Sequence, residues 1–215
     1  MTTFVREIEA LKADRLVRIT SAGQMSLVSD AGGDPTSMLK IALANEISVS
    51  ELAAAWMPTT RELDVKIAFA RQTGDEANHF QLVANRLAAL GVDLAAYEPP
   101  PDNPLFAYLK TLTRTVERIA AGLVTLESIA YAVNEQFMAF CEQRGDHETV
   151  RIYRDYIQPD ERAHQELGQQ LLGRYAITAD DQAAARQVVE RVLEIAAVTR
   201  ANAAAKLGAA CFPGC

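Results

Sequence analysis

One five-residue pattern occurs twice in the sequence, as DEANH at residues 75–79 and as DERAH at residues 160–164. In each copy a glutamate precedes a histidine by three positions, and each copy lies within a long stretch of helical periodicity. Residues three apart project from the same face of a helix, so each helix can offer a carboxylate oxygen and an imidazole nitrogen to one metal ion. Because a buried carboxylate without a partner is costly to keep charged, the two motifs on apolar helix faces predict two compensating metal ions.

Apolar residues recur with helical spacing along most of the chain, and no segment has a strand pattern of comparable quality. The spacing predicts an all-α fold, a four-helix bundle with an additional helix at each end. At 215 residues and 49% hydrophobic residues, the chain 1–215 is expected to form one domain. The expected bundle core spans about 36–172, with helices at 36–56, 62–90, 105–143 (bent near Gly122) and 147–172, and the additional helices cover 3–20 and 179–207.

Two further glutamates are predicted to join the motifs because they lie at the same height in the bundle. With a turn near residue 60, Glu46 lies 14 residues before it and Glu76 lies 16 after it. With a turn near residue 145, Glu127 lies 18 before it and Glu161 lies 16 after it. Glu135 lies only 10 before that turn, a mismatch of six residues or roughly 9 Å of helix rise. We therefore predict Glu127 and not Glu135 as a ligand.

The predicted ligand set contains four carboxylates and two imidazoles. Carboxylate and imidazole ligands suit hard or borderline divalent ions, and carboxylates can bridge two of them. The predicted metal ligands are Glu46, Glu76, His79, Glu127, Glu161 and His164.

With these motifs the chain resembles the ferritin-like di-iron carboxylate proteins, which use one Glu from each of two helices and Glu-x-x-His from the other two. The aspartates that precede the motif glutamates, Asp75 and Asp160, resemble the oxygen-activating branch that includes bacterial multicomponent monooxygenases and acyl-carrier desaturases. The resemblance implies a ferritin-like bundle with two iron ions, and manganese is also compatible with these ligands. It also implies that each aspartate supports a histidine ligand from outside the coordination sphere.

Three other residues near the motifs are candidates for a role at the site or in the shape of the helices. Tyr131, one turn after Glu127, is either a hydrogen-bond donor or redox side chain at the site, or an ordinary core tyrosine. Gly74 and Pro159 each lie two residues before a motif glutamate, and both residue types weaken helices. We expect a local bend at both positions, although Gly74 can equally serve close helix packing.

The composition argues against several other classes of protein. The net charge is −7 and the basic residues are spread along the helices, which does not favour nucleic acid as a partner. The first residues lack the apolar core of a signal peptide, and no run has the length of a membrane span, so a cytoplasmic location is expected. Cys141, Cys211 and Cys215 form no C-x-x-C pair, and the tail from Cys211 to Cys215 is expected to be a flexible terminus.

These features predict a di-iron enzyme that activates dioxygen or peroxide to oxidise a small organic substrate. Such an enzyme needs an electron donor and an apolar pocket beside the metals, typically about 300–1,000 Å³. A ferroxidase or peroxide-scavenging protein, a dimanganese catalase-like protein, and a metal-free interaction protein are the alternatives. In the last of these, the buried acids would pair with Arg71 or Arg162. A homodimer is compatible with the sequence.

Overall fold

The computed structural model describes residues 1–28, 34–95, 97–98, 103–208 and 210–214, without the side chains of residues 22–28 and 207. Helices account for nearly all of these residues, and the described part of the chain contains no strand. The prediction of an all-α fold is confirmed. The α-helices are α1 (Thr3–Val28), α2 (Pro35–Trp56), α3 (Leu63–Ala89), α4 (Pro104–Leu109), α5 (Thr115–Arg118), α6 (Glu127–Gln143), α7 (His147–Ile152), α8 (Gln158–Tyr175) and α9 (Ala179–Leu207).

Two π-helical segments join pairs of these helices into longer rods. The first, Ile119–Leu126, connects α5 to α6, and the second, Tyr153–Ile157, connects α7 to α8. Four rods therefore form the bundle, namely α2, α3, α5 to α6, and α7 to α8. Each π-helical segment ends close to a predicted ligand, because Glu127 begins α6 and Glu161 lies in the first turn of α8. Such segments are rare in proteins and are frequent beside functional sites.

The structure corrects three helix boundaries. The N-terminal helix continues to Val28 instead of ending near residue 20, and the fourth bundle helix continues to Tyr175. The predicted helix 105–143 is interrupted, because α4 ends at Leu109 and α5 begins at Thr115. Arg118 explains how the interruption is tolerated: its buried guanidinium donates to the carbonyl oxygen of Leu112 at 3.0 Å and to the hydroxyl of Thr59 at 2.8 Å. The first bond satisfies a carbonyl that a continuous helix would have paired itself, and the second links the interruption to the segment after α2.

The structure has a helix irregularity at two of the three positions where a bend was predicted. Near Gly122 the chain is π-helical, and a π-helical segment also precedes Pro159, where the N–H of Gln158 bonds to the carbonyl of Tyr153, five residues back. Proline has no N–H to continue the α-helical ladder, which fits a break at this position. At Gly74, by contrast, α3 is an uninterrupted α-helix, so the irregularity expected there is absent.

The core consists of two apolar clusters with the buried acids between them. Along α2, the cluster around Met38 and Leu43 precedes Glu46, and the cluster around Leu52 and Trp56 follows it. The same alternation occurs on α3 and α8, whereas on the third rod the cluster that contains Trp56 continues past Glu127 to Val133. Each rod carries an acid near mid-height, and these acids form a charged layer. Because the apolar residues pack on both sides of this layer, the acids lie far from either end of the bundle.

The segment that follows α9 folds back onto the bundle, which corrects the prediction of a flexible terminus. Gly208 ends α9 in the left-handed conformation (φ 71°), and Cys211 and Phe212 are then 0% and 3% exposed as members of one apolar cluster. Cys215 lies outside the described residues. None of the helices in the described ranges combines the length and apolar character that crossing a membrane requires.

We expect Gly168→Ala and Gly74→Ala to change stability in opposite directions. A Cβ atom at Gly168 would lie 2.7 Å from Cβ of Leu123 and 2.8 Å from its carbonyl carbon, so we expect a loss of about 1–3 kcal/mol in the free energy of unfolding. Gly74 has no atom within 4 Å of such a Cβ and is in mid-helix, so alanine should add about 0.5–1 kcal/mol. Urea unfolding of both variants measures the difference. A destabilised Gly74→Ala variant would mean that α3 needs the glycine after all.

Candidate metal centre

The structure brings all six predicted ligands together at the centre of the bundle. Each is between 0% and 4% exposed, and they come from four different rods. Glu46 lies on α2, Glu76 and His79 on α3, Glu127 at the start of α6, and Glu161 and His164 on α8.

The six residues form two groups that could each hold an ion. One group contains Glu46, Glu76, His79 and Glu161, and the other contains Glu76, Glu127 and His164. Within each group, one ligand atom from every residue lies within 4.8 Å of the others. Glu76 belongs to both groups, and the sequence had left open which of the carboxylates bridges the two ions.

The two oxygens of Glu76 face different histidines. Its Oε2 lies 3.4 Å from Nδ1 of His79, and its Oε1 lies 3.5 Å from Nδ1 of His164. The remaining contacts are from His79 Nδ1 to Glu46 Oε2 at 3.7 Å and from His164 Nδ1 to Glu127 Oε1 at 3.4 Å. A carboxylate with one oxygen directed to each group has the geometry of a bridge between two metal ions.

Four buried polar atoms of these residues have no hydrogen-bond partner among the described residues, and such atoms indicate whether a metal ion would fit the centre. Within the described part of the chain, no hydrogen bond reaches Nδ1 of His79 or His164, Oε1 of Glu76 or Oε2 of Glu161, although all four atoms are buried. Buried polar atoms are normally paired, and an unpaired one is costly. Two divalent ions would give each of these atoms a partner and would balance the four carboxylate charges. The residues present therefore fit a two-metal centre.

Without a cation, the cluster must share protons. Burial, together with the charge of Glu127, raises the pKa of Glu76 to about 8, and the same two causes raise the pKa of Glu161 well above its usual value. Burial acts to lower the pKa of His164, but the negative charges of Glu127 and Glu76 and the hydrogen bond to Asp75 outweigh burial and raise that pKa to about 10. Metal binding would displace these protons, because ligands coordinate in their deprotonated forms.

Each aspartate that precedes a motif glutamate contacts a histidine, as the resemblance implied. The partners are crossed: Asp75 Oδ2 lies 3.0 Å from Nε2 of His164, and Asp160 Oδ2 lies 3.2 Å from Nε2 of His79. An Asp is rotated about 100° around the helix from the Glu that follows it, so it faces the neighbouring helix instead of its own motif. An Nε2–H that donates to an aspartate leaves Nδ1, the atom that faces the carboxylates, able to bind a metal.

Gln72 is a site residue to which the sequence assigned no role. It lies one turn before Glu76 on α3, is 1% exposed, and its Nε2 donates a short hydrogen bond to Oε1 of Glu127. Gln165 approaches the same residue from α8, because its Nε2 donates to the Glu127 carbonyl oxygen at 3.1 Å. The sequence could have indicated Gln72, because it is a polar residue on an otherwise apolar helix face and lies four residues before Glu76.

Glu135 is exposed and accepts a hydrogen bond from Nε2 of Gln158 at 2.7 Å, so it lies outside the centre as predicted. Tyr131 is half-buried, and its hydroxyl makes no hydrogen bond within the described residues, so its role at the site stays a prediction. The fully buried tyrosine of the bundle centre is Tyr153, whose ring packs edge-on against Phe137 at 5.2 Å. Burial and then the charge of Glu46 raise the pKa of Tyr153 well above its usual value.

The arginines of the metal-free alternative do not reach the buried acids. Arg71 is exposed, and Arg162 is exposed and forms its ion pair with Glu166, one turn further along α8, at 3.6 Å. These positions leave the carboxylates without the cationic side chains that this alternative needs.

The cavity at the centre is small. Its volume is about 10 Å³, enough for roughly one water-sized sphere. It is lined by Asn45, Glu46, Val49, Glu76, Leu126, Glu127, Ala130, Glu161 and Gly214. In the present conformation this cavity is therefore far smaller than the ligand-sized apolar pocket that was expected beside the metals.

Comparison with known proteins places the fold and leaves the activity open. No protein-family model and no curated protein sequence matches the chain. The structure is similar to that of a domain of unknown function with a haem oxygenase-like fold from Shewanella denitrificans OS217, with a TM-score of 0.73, 14% sequence identity, and 96% of each chain covered. The chain therefore has an all-helical, haem oxygenase-like fold, with a buried cluster of acidic residues and histidines that is compatible with metal binding.

Proposed function

We propose that the protein is a non-haem di-iron oxidoreductase that activates dioxygen or peroxide. The observation that carries the proposal is Glu76, whose two oxygens each face one histidine at the junction of two potential ligand groups. This arrangement agrees with the resemblance to ferritin-like di-iron carboxylate proteins in the motifs. Two ferrous ions would supply the two electrons that reduce dioxygen to the level of peroxide, or peroxide to water.

The protein residues would bind the two ions and hold the ligand side chains in position. Glu46, His79 and Glu161 would hold one ion, Glu127 and His164 the other, and Glu76 would bridge them. Asp160 and Asp75 would keep the proton of each imidazole on Nε2, so that Nδ1 stays available. Gln72 would fix the carboxylate of Glu127 through its hydrogen bond.

The proposed substrate is a small organic molecule, with an electron donor supplying the reducing equivalents. One observation favours a second candidate, a ferroxidase or peroxide-scavenging protein. The cavity of about 10 Å³ admits only small reactants such as iron, dioxygen or peroxide while the chain is in this conformation. A dimanganese centre uses the same ligand types and is distinguished by metal analysis.

Metal analysis followed by reaction with oxygen tests the proposal. Protein purified without added metal should contain about two irons per chain, and the anaerobically reduced protein should develop a transient visible absorption on exposure to oxygen. The matched control is Glu135→Ala, since this exposed glutamate should leave both results unchanged. Fewer than one metal per chain under all loading conditions would contradict a di-metal function. Two manganese ions with rapid peroxide turnover, or rapid ferrous oxidation unaffected by organic compounds, would favour the alternatives.

A further inference from the structure

A lysine of the N-terminal helix is buried in the interior of the protein. Lys12 of α1 is only 2% exposed. Its ammonium lies 2.9 Å from Oε1 of Glu9, donates to the carbonyl oxygen of Val124 at 3.1 Å, and donates to the hydroxyl of Ser128 at 2.6 Å. These three partners match the three N–H donors of an ammonium, so the charge is paired although it is buried.

Two of these partners lie where the third rod changes its helix type. Val124 belongs to the π-helical segment Ile119–Leu126, and Ser128 is the second residue of α6. The Ser128 hydroxyl also contacts the Val124 carbonyl oxygen at 2.7 Å, so two side chains bond to one backbone carbonyl. Side-chain donors of this kind stabilise irregular helix geometry, because the regular ladder of backbone bonds is interrupted there. Lys12 therefore holds the turn that carries Glu127.

The hydrogen bonds continue from Ser128 to residues that adjoin both histidine and carboxylate of one ion group. The Ser128 hydroxyl lies 3.1 Å from Oε1 of Gln165, and Nε2 of Gln165 donates to the carbonyl oxygen of Glu127 at 3.1 Å. Ser128 follows the predicted ligand Glu127 in the chain, and Gln165 follows the predicted ligand His164. Lys12, Ser128 and Gln165 adjoin no ligand that belongs to the other group alone.

The lysine brings little net charge to the metal centre, because it is paired with a carboxylate. Glu9 lies one turn before Lys12 on α1, and its side chain is 29% exposed. An unpaired ammonium would repel the metal ions, whereas a paired one can fix the backbone without that cost. The arrangement therefore suits a role in holding the ligands in position.

We propose that Lys12 is a positioning residue for the ion held by Glu127 and His164, and that α1 serves the metal centre through it. The inference rests on the proposed function. The ammonium fixes the end of the π-helical segment and the Ser128 hydroxyl, and with them the direction of the Glu127 carboxylate. Groups outside the coordination sphere typically contribute about 10- to 100-fold to metal affinity. The effect is confined to this ion, because the network adjoins its ligands and not those of the other ion.

Affinity measurements on variants that keep one ion test the proposal. His79→Ala leaves the ion of Glu127 and His164, and His164→Ala leaves the other ion. Lys12→Met keeps the length of the side chain and removes its charge. It should weaken binding of ferrous iron about tenfold in the His79→Ala background and leave binding unchanged in the His164→Ala background. Anaerobic titration with ferrous iron against a competing chelator measures both values.

Two further variants separate the hydrogen bonds from the docking of α1. Ile8→Ala removes a fully buried apolar side chain one turn before Lys12 that takes no part in these bonds. It should lower the melting temperature and leave both affinities as in the parent. Ser128→Ala should reproduce the loss of Lys12→Met, and the double variant should lose little more, because residues in contact are energetically coupled. Melting curves establish that each variant is folded.

Hydrogen exchange of the metal-free protein checks the structural step without any metal. Lys12→Met should speed exchange about tenfold in the peptide that spans residues 119–128, while peptides from α2 exchange as in the parent. The 119–128 peptide of Ile8→Ala should not show this local increase. An unchanged rate in Lys12→Met would show that the ammonium does not hold the π-helical segment, and would overturn the proposal.

The metal content of the parent protein separates the two proposals. Two irons per chain, with affinities in Lys12→Met equal to those of the parent, would overturn the role of Lys12 and leave the di-iron function standing. Equal losses in both backgrounds, or a loss of the same size in Ile8→Ala, would reduce Lys12 to a general contribution to stability and would also overturn its assignment. Absence of bound metal would overturn the proposed function, and with it any role of Lys12 at an ion, whatever the exchange rates.

Discussion

Glu76→Ala is expected to lose both metal ions, so that iron content falls from about two per chain to near zero. The reason is that Glu76 contributes an oxygen to each ligand group, whereas Glu46 and Glu127 each belong to one. Glu46→Ala and Glu127→Ala should therefore each reduce the content toward one ion. Elemental analysis of protein expressed and purified in parallel measures the difference, because removal of a ligand from a site with few ligands lowers its affinity directly.

Glu135→Ala is the control for this series, since it removes a glutamate from the same helix as Glu127 without touching the centre. Its iron content should stay near two. A loss equal to that of Glu127→Ala would show that the helix register at α6 is wrong. Glu76→Ala that still retained two irons would rule out the bridge.

The aspartates should act on the metal held by the opposite motif. Asp75→Asn should weaken the ion bound by His164, and Asp160→Asn the ion bound by His79, because these are the imidazoles whose Nε2 atoms they contact. The expected decrease is about 10- to 100-fold in affinity at one of the two sites. Titration with ferrous iron against a competing chelator, under anaerobic conditions, measures both affinities.

A double-mutant comparison makes the crossed pairing testable. Asp75→Asn should add little to the loss caused by His164→Ala but should add its full effect to His79→Ala, since only residues in contact are energetically coupled. Asp155→Asn is a matched control, because Asp155 is exposed and pairs with Arg154 away from the ligands. The opposite coupling pattern would show that each aspartate supports the histidine of its own motif.

The crossed aspartates illustrate where reasoning from sequence reached its limit. The resemblance in the motifs implied that each Asp supports a histidine, and each Asp does contact a ring nitrogen. Which histidine it contacts depends on which helix lies beside it. That choice is made by packing among the rods, and no local pattern encodes it.

The segment that follows α9 and the interrupted third helix were likewise not indicated by the sequence. Residues 210–214 have no periodicity, so nothing in their spacing indicated that Arg200 and Asn134 would hold them beside the ligands. Likewise, the interruption between Leu109 and Thr115 is stabilised by Arg118, whose side chain donates hydrogen bonds to Thr59 and Thr60, which are distant in sequence. Neither feature could be derived without the positions of the neighbouring elements.

The all-α class and the meeting of the six acidic and histidine residues at the bundle centre followed from the sequence alone. Helices have a constant rise and rotation per residue, so the faces and heights of Glu46, Glu76, Glu127 and Glu161 could be calculated from their positions relative to the turns. Three features required the packing of separate elements: Glu76 belongs to both groups, Gln72 donates a hydrogen bond to Glu127, and Gly214 lines the cavity. These are contacts between separate elements, and their geometry depends on how the rods and the segment after α9 pack together, which local periodicity does not specify.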